Sequence, residues 1–161
     1  MDHIDLKLLA HLQRNAKLSY AELGRRVGLG VSTVNERLKK LQARGIIREY
    51  VAVVNPKALG LDICAFVQVL MAEPDLESAF VEQIHQLPEV QECHCITGEF
   101  SYLLKVRVRD TAHLEAFLRE KIKSLAGVAR TQTMIALSTS KETLALGVSV
   151  GSAPNEKKVS A

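Results

Sequence analysis

Two short segments carry the side chains best suited to chemistry, and the first is Cys93-His94-Cys95. On a strand, the two thiols would share one face and His94 would point to the other. The motif therefore supplies two ligands on one face, whereas a structural zinc site takes four, and His85 or Cys64 would have to contribute. Small, half-buried strand residues are the simpler interpretation, with a thiol or zinc sensor as the alternative.

The second segment is Gly98-Glu99-Phe100-Ser101-Tyr102. Its glycine favours a hairpin turn, because glycine adopts a positive φ without strain. Alternatively, the carboxylate and hydroxyl groups of this loop could bind a small zwitterion. Neither a glycine-rich phosphate loop nor a Ser/His/Asp or Cys/His arrangement can be assembled from the sequence, so we predict neither an enzyme nor a metal or other cofactor.

Residues 19–44 have the pattern of a DNA-binding helix-turn-helix. Ser19-Tyr20-Ala21-Glu22 is a capping box that begins one helix, and Gly28 ends that helix. A second helix is predicted over residues 31–44. Its buried stripe consists of four aliphatic residues, Val31, Val34, Leu38 and Leu41.

The opposite face of the second helix is polar at its start and cationic towards its end. A recognition helix has this order, because its first residues reach base edges while later cations meet phosphates. The predicted base contacts are Ser32, Thr33 and Arg37, with Glu36 on the same face. The predicted phosphate contacts are Lys39, Lys40, Arg44 and Arg48.

Two flanking segments complete the predicted N-terminal domain, residues 1–54. Asp2 can cap a first helix that places Leu8 and Leu12 on one face. After Gly45, residues Ile46–Val51 are predicted to form a strand, which would make the domain a winged helix-turn-helix.

Charge supports a polyanionic partner for this domain alone. Of the 161 residues, 47% are apolar, and the net charge is +3. Residues 1–54 carry a net charge of +5 and residues 55–161 a net charge of −2. No apolar stretch is long enough to span a membrane, no signal sequence is recognisable, and three cysteines do not form a secreted disulfide framework. We therefore expect a cytoplasmic protein without a membrane partner.

Beyond a linker at residues 55–62, the chain contains a repeat. Five apolar residues recur with an offset of 38 residues: Leu76, Phe80, Ile84, Leu87 and Val90 recur as Leu114, Leu118, Ile122, Leu125 and Val128. Apolar runs at 63–71 and 102–108 precede the predicted helices, and a strand should begin at each repeated valine. The pattern predicts a ferredoxin-like βαββαβ domain over 63–142, hence an α+β protein, followed by a disordered tail at 147–161.

Such a sheet carries its two helices on one face, and the other face also contains apolar residues. No further layer follows Leu137 in the sequence. A second copy of the chain is the simplest cover, so we predict a dimer whose paired DNA-binding domains match a palindromic site.

The sequence resembles the leucine-responsive regulator/AsnC (Lrp/AsnC, or feast/famine) family of transcription factors over about residues 2–142. The matching stretches include Glu22-Leu23, Val27-Gly28-Leu29, Gly45-Ile46-Ile47, Asn55-Pro56, Leu87-Pro88-Glu89-Val90, Thr97-Gly98, Tyr102-Leu103-Leu104-Lys105-Val106 and Thr131-Gln132-Thr133. The resemblance implies a winged helix-turn-helix joined to a RAM-type domain for effector binding and assembly. It further implies dimers that associate, often to octamers, with an amino-acid effector bound between dimers. The effector positions carried over are Gly98, Glu99, Ser101, Tyr102, Thr131 and Thr133.

Two positions depart from the family pattern. Gly30 stands where the family usually has a serine cap, and Ser101 stands where it usually has aspartate, a partner for a ligand's ammonium group. Three interpretations follow for Ser101: Glu99 substitutes, the effector is unusual, or the response is weak or absent. An amino-acid-binding module that acts through protein partners remains the alternative to a DNA-binding regulator.

Overall fold

The computed structural model describes residues 1–148, which excludes most of the predicted disordered tail. The described residues divide into two compact units, Met1–Ala52 together with residues 142–148, and Val53–Lys141. Within residues 1–148, no helix has the length and apolar character needed to cross a membrane.

The first unit contains three helices, α1 (His3–Arg14), α2 (Tyr20–Val27) and α3 (Val31–Ala43). The predicted capping box of α2 is confirmed, since Ser19 Oγ accepts a hydrogen bond from the Glu22 amide at 3.2 Å and the Glu22 carboxylate accepts one from the Ser19 amide at 2.8 Å. Helix α1 also begins with a capping box, which Asp2 and Asp5 form. The helices enclose a core of Leu8, Leu12, Leu18, Leu23, Val34, Leu38 and Leu41.

The turn between α2 and α3 depends on two glycines. Gly28 adopts the left-handed conformation with φ of 74°, as predicted for the end of α2. A Cβ atom on Gly24 would lie 2.4 Å from the carbonyl oxygen of Leu29. Only glycine at position 24 therefore lets the turn fold back onto α2.

Two predictions for this unit are wrong. Val31 is exposed rather than part of the buried stripe, because the start of α3 is open to solvent: no atom lies within 4 Å of a Cβ placed on the preceding Gly30. Residues Ile46–Val51 do not form a strand. The amides of Ile46 and Ile47 donate to the carbonyl oxygen of Leu41, and the described part of this unit offers no second strand to pair with the segment.

The second unit is the predicted βαββαβ arrangement. Its elements are β1 (Ile63–Met71), α4 (Glu77–His85), β2 (Val90–Cys95), β3 (Tyr102–Val108), α5 (Thr111–Phe117), a π-helical turn (Leu118–Ile122) and β4 (Val128–Ile135). The strands form one antiparallel sheet in the order β2-β3-β1-β4. The strands at Val90 and Val128 begin where the repeat predicted them. Short 3-10 turns occupy Pro56–Leu59 and Pro74–Leu76.

The two faces of this sheet have different surroundings. Alternate residues of β1 and β3 are buried against the helices, with Phe80, Ile84, Leu114, Phe117 and Ile122 in the same core. The helices of this unit pack on that face only. We call the other face the open face; its apolar residues include Phe66, Leu70, Leu103 and Met134.

Tyr102 brings a polar hydroxyl group into the buried core on the helix-covered face. Its hydroxyl donates a hydrogen bond to Glu77 Oε2 at 3.0 Å, and its ring centroid lies 5.1 Å from that of Phe80. Burial, followed by the hydrogen bond to Glu77, raises the pKa of Tyr102 to about 12. The folded protein therefore favours the neutral phenol.

This raised pKa predicts a loss of stability at high pH. The phenol of an unfolded chain ionises near pH 10, so the stabilising contribution of Tyr102 is complete below pH about 10 and is lost as the pH rises towards about 12. We expect Tyr102→Phe to cost about 1 kcal/mol at neutral pH, through the lost hydrogen bond, and to flatten this decline. Urea unfolding of both proteins across this pH range measures the effect. If the free energies of unfolding of both proteins fell equally with pH, the raised pKa of Tyr102 would not be the cause of the decline.

Candidate nucleic-acid interface and effector site

The first candidate site is the exposed face of α3. Seven of the predicted DNA contacts have exposed side chains, namely Ser32, Thr33, Glu36, Lys39, Lys40, Arg44 and Arg48. All but Arg48 lie on α3 or at its C-terminal cap. Gly30 caps α3 without a side-chain hydrogen bond, so the cap offers the amides of the first turn no side-chain partner. Polar groups and cations share the exposed surface of the helix.

Arg37 differs from the other predicted contacts because its guanidinium is bound within the protein. Its Nη1 lies 2.7 Å from Asp2 Oδ2 and 2.8 Å from Asp5 Oδ1, and its side chain is 29% exposed. The hydrogen bonds to Asp5 and then Asp2 raise the pKa of Arg37 above its ordinary value. Arg37 therefore joins the middle of α3 to the capping box that begins α1.

Sequence reasoning missed this connection. Asp2 and Asp5 were recognisable as residues of a helix start, but their partner lies more than 30 residues away along the chain. A helical periodicity places Arg37 on an exposed face and cannot show which other helix crosses that face.

The second candidate site is the loop between β2 and β3. Gly98 has φ of 117°, which confirms the positive φ predicted for the turn. The Ser101 amide donates to the carbonyl oxygen of Val69 at 2.9 Å, and Ser101 Oγ accepts from the Met71 amide at 3.1 Å. These bonds attach the loop to the end of β1, on either side of Leu70.

An ion pair closes this loop over the end of β1. Glu99 binds Arg130 of β4, and Arg130 is paired in register with Leu70. The Arg130 guanidinium carbon lies 4.9 Å from the centroid of the Phe100 ring, within the range of a cation–π contact. Arg130 was not predicted as a site residue. Its position beside Thr131 was the available signal, but the side chain could be placed only once the strand register was known.

The six predicted effector residues lie in two different places, the β2–β3 loop and the helix-covered face of the sheet. Gly98, Glu99 and Ser101 lie in the loop at the end of β1. Tyr102 and Thr131 are both paired with Val69, so they lie in one row on the helix-covered face, and Thr133 is paired with Val67 on the same face. Both threonines are half-buried, whereas Tyr102 is buried with its hydroxyl bonded to Glu77.

The cysteines do not converge on a metal site. Cys93 lies on the helix-covered face and packs against the core, His94 lies on the opposite face beside Glu92, and Cys64 is buried on β1. Burial, with a smaller effect from Cys95, raises the pKa of the Cys93 thiol, which disfavours the reactive thiolate. Residues 1–148 hold no group of three or more His, Cys, Asp or Glu side chains that could bind a metal ion.

Comparisons with known proteins match both units. Residues 1–48 match the family model described as winged helix-turn-helix DNA-binding, and residues 64–146 match the Lrp/AsnC ligand binding domain. The Leucine-responsive regulatory protein of Haemophilus influenzae is 38% identical over 145 residues, covering 89% of this chain and 87% of that protein. The Proline dehydrogenase transcriptional activator of Rhizobium radiobacter is 41% identical over 146 residues, with coverages of 89% and 93%.

A solved structure agrees with these matches. It is a transcriptional regulator from Neisseria meningitidis in complex with L-Met, which superimposes with a TM-score of 0.88 at 33% identity and covers 92% of this chain and 97% of its own. The helix-turn-helix, the sheet that helices cover on one face only and the similarities to known proteins all indicate the same family. The chain belongs to the Lrp/AsnC family and is a DNA-binding transcriptional regulator with a ligand-binding domain, not an enzyme.

Proposed function

We propose that this regulator binds palindromic double-stranded DNA through α3, as a homo-oligomer, and that a small amino acid modulates it. The observation that carries the proposal is the exposed face of α3, with hydroxyl groups at its start and cations at its end. Ser32 and Thr33 face the bases, with Glu36 beside them, while Lys39, Lys40, Arg44 and Arg48 contact phosphates. Relatives that regulate transcription support a site of action in the cytoplasm, together with the DNA.

The ion pairs of Arg37 indicate a role different from the base contact predicted from the sequence. The Nη1 atom of Arg37 is used by both Asp2 and Asp5, so a base contact, as predicted from the sequence, would depend on the other guanidinium nitrogens or on breaking these ion pairs. The two carboxylates favour a role in which Arg37 holds α3 against the start of α1 and neutralises acidic groups beside the DNA-binding surface. Arg37 is therefore proposed as a positioning residue.

The open face supports self-association. Phe66, Leu70 and Leu103 are half-buried there, and Met134 is 43% exposed. A second sheet of the same kind would remove these side chains from water, which favours a two-fold dimer. The exposed run Tyr50–Val54 adds apolar surface that an isolated chain leaves in solvent. Further association, to an octamer, is proposed from the family resemblance.

The effector proposal rests on the ligand-binding domain and on relatives. One relative is named for its response to leucine, and one similar structure contains L-Met. We place an amino acid at Gly98, Glu99 and Ser101, with Tyr102, Thr131 and Thr133 on the adjoining strands. No other cofactor is proposed.

Lys40→Ala tests the phosphate contacts. Loss of one contact should weaken binding about equally for all DNA sequences and reduce the slope of log affinity against log salt by about 1. Fluorescence anisotropy with a labelled duplex at several salt concentrations measures both quantities. Lys123→Ala, an exposed lysine of the ligand-binding domain, is the matched control and should leave the slope unchanged. Equal slopes for Lys40→Ala and wild type would contradict the assignment, and an absence of salt-dependent binding would favour the protein-partner alternative.

Arg37→Ala separates positioning from base reading. A positioning role predicts weaker binding to every site and a lower thermal midpoint, with the order of preference among operator variants preserved. Competition binding with duplexes that differ at single base pairs measures that order. Selective loss of discrimination at one base pair would show instead that Arg37 reads a base.

A thermal-shift panel of the proteinogenic amino acids tests the effector. A ligand at about 100 times its dissociation constant adds roughly 2.7 kcal/mol to stability. In a chain of this size each kcal/mol should raise the midpoint by about 2–4 °C, so an effector is readily detected. The expected result is a shift with one or a few amino acids. If no amino acid shifted the thermal midpoint, the amino-acid effector would be contradicted, and the proposal that the protein binds DNA would still stand.

A further inference from the structure

The Glu99–Arg130 ion pair includes the acidic residue of the proposed effector loop. It joins the β2–β3 loop to β4 across the end of β1. Both side chains are largely exposed, 69% for Glu99 and 52% for Arg130. An ion pair between such exposed side chains adds little to folding stability, so it can open readily when a competing partner arrives.

Further contacts hold the residues around this ion pair in place. Phe100 is 7% exposed, and its ring supports the Arg130 guanidinium at 4.9 Å. Ser101, the next residue, is fixed to β1 by two hydrogen bonds. The backbone that follows Glu99 and the strand that carries Arg130 are therefore anchored, while the two charged groups themselves remain accessible.

We propose that Glu99 and Arg130 are the two halves of a site for a zwitterionic α-amino acid, an inference that rests on the proposed effector function. The ligand separates the ion pair, so that its α-carboxylate binds Arg130 and its α-ammonium binds Glu99. Arginine suits the first contact, because its planar guanidinium can bind a carboxylate through two parallel hydrogen bonds. One ion pair is thereby replaced by two, with no charge left without a partner.

The chemistry of the loop agrees with Glu99 as the ammonium partner. Ser101 has no carboxylate, and its hydroxyl already accepts a hydrogen bond from the Met71 amide. Glu99 is the acidic residue of the segment between β2 and β3. It therefore supplies the negative charge that a serine at position 101 cannot.

The same geometry indicates the class of side chain that the ligand carries. Both charged groups of the site are used by the α-carboxylate and the α-ammonium group of the ligand. A neutral side chain fits the site, since an acidic or basic one would bring a charge for which Glu99 and Arg130 leave no partner.

The test is isothermal titration of the full chain with L-methionine and L-leucine. Two analogues of methionine separate the charges: 4-(methylthio)butanoate lacks the ammonium group and 3-(methylthio)propylamine lacks the carboxylate. We expect wild type to bind the amino acid at least about tenfold more tightly than either analogue, and Glu99→Gln and Arg130→Gln each to lose at least about tenfold. Glu99→Gln should bind the butanoate at least as tightly as wild type does, and Arg130→Gln should bind the amine at least as tightly, because each variant removes the charge that competes with the analogue.

Controls separate this inference from the function on which it rests. Arg119→Gln removes an exposed arginine that pairs with Glu115 and Glu120 and has no ion pair with Glu99, and it should bind like wild type. The unliganded thermal midpoints of all variants should agree, since the removed ion pair is exposed. Undiminished amino-acid binding by Glu99→Gln and Arg130→Gln would overturn this inference and leave the effector function standing. Wild-type protein that binds neither probe nor any other amino acid of the panel would overturn both.

Discussion

The organisation of this protein depends on a sheet that its own helices cover on one face only. Alternation along β1 sends Ala65, Val67 and Val69 into the core, and it necessarily sends Phe66 and Leu70 to the open face. The chain has no further layer in this unit to cover them. The pairing with a second copy that we propose would cover these residues, and a two-fold pair would bring two recognition helices to one DNA molecule.

Local signals and the repeat were sufficient to predict most elements. The capping box at Ser19, the glycine at the end of α2 and the strands at Val90 and Val128 depend on residues close in sequence or on the 38-residue offset. The strand predicted at Ile46–Val51 fails for the opposite reason. A strand needs a partner, and the propensity of one segment contains no information about whether the chain provides it.

The candidate sites could be predicted only in part, because the sequence did not show which charged side chains form ion pairs with one another. Exposed residues of α3 follow from helical periodicity, but the ion pairs of Arg37 and Arg130 join residues about 30 positions apart. Both pairs lie at the proposed sites, one beside the proposed DNA-binding surface and one at the proposed effector loop.

The most direct measurement is selection of duplexes from a random DNA library by the full chain, followed by sequencing. A regulator that pairs through its open face should enrich inverted half-sites, with centres separated by about one helical turn, roughly 10 base pairs, or a multiple of it. Phe66→Glu, which places a charge on that face, should reduce the enrichment to single half-sites. Enrichment of unpaired half-sites by the wild-type protein, or no enrichment at all, would contradict the account.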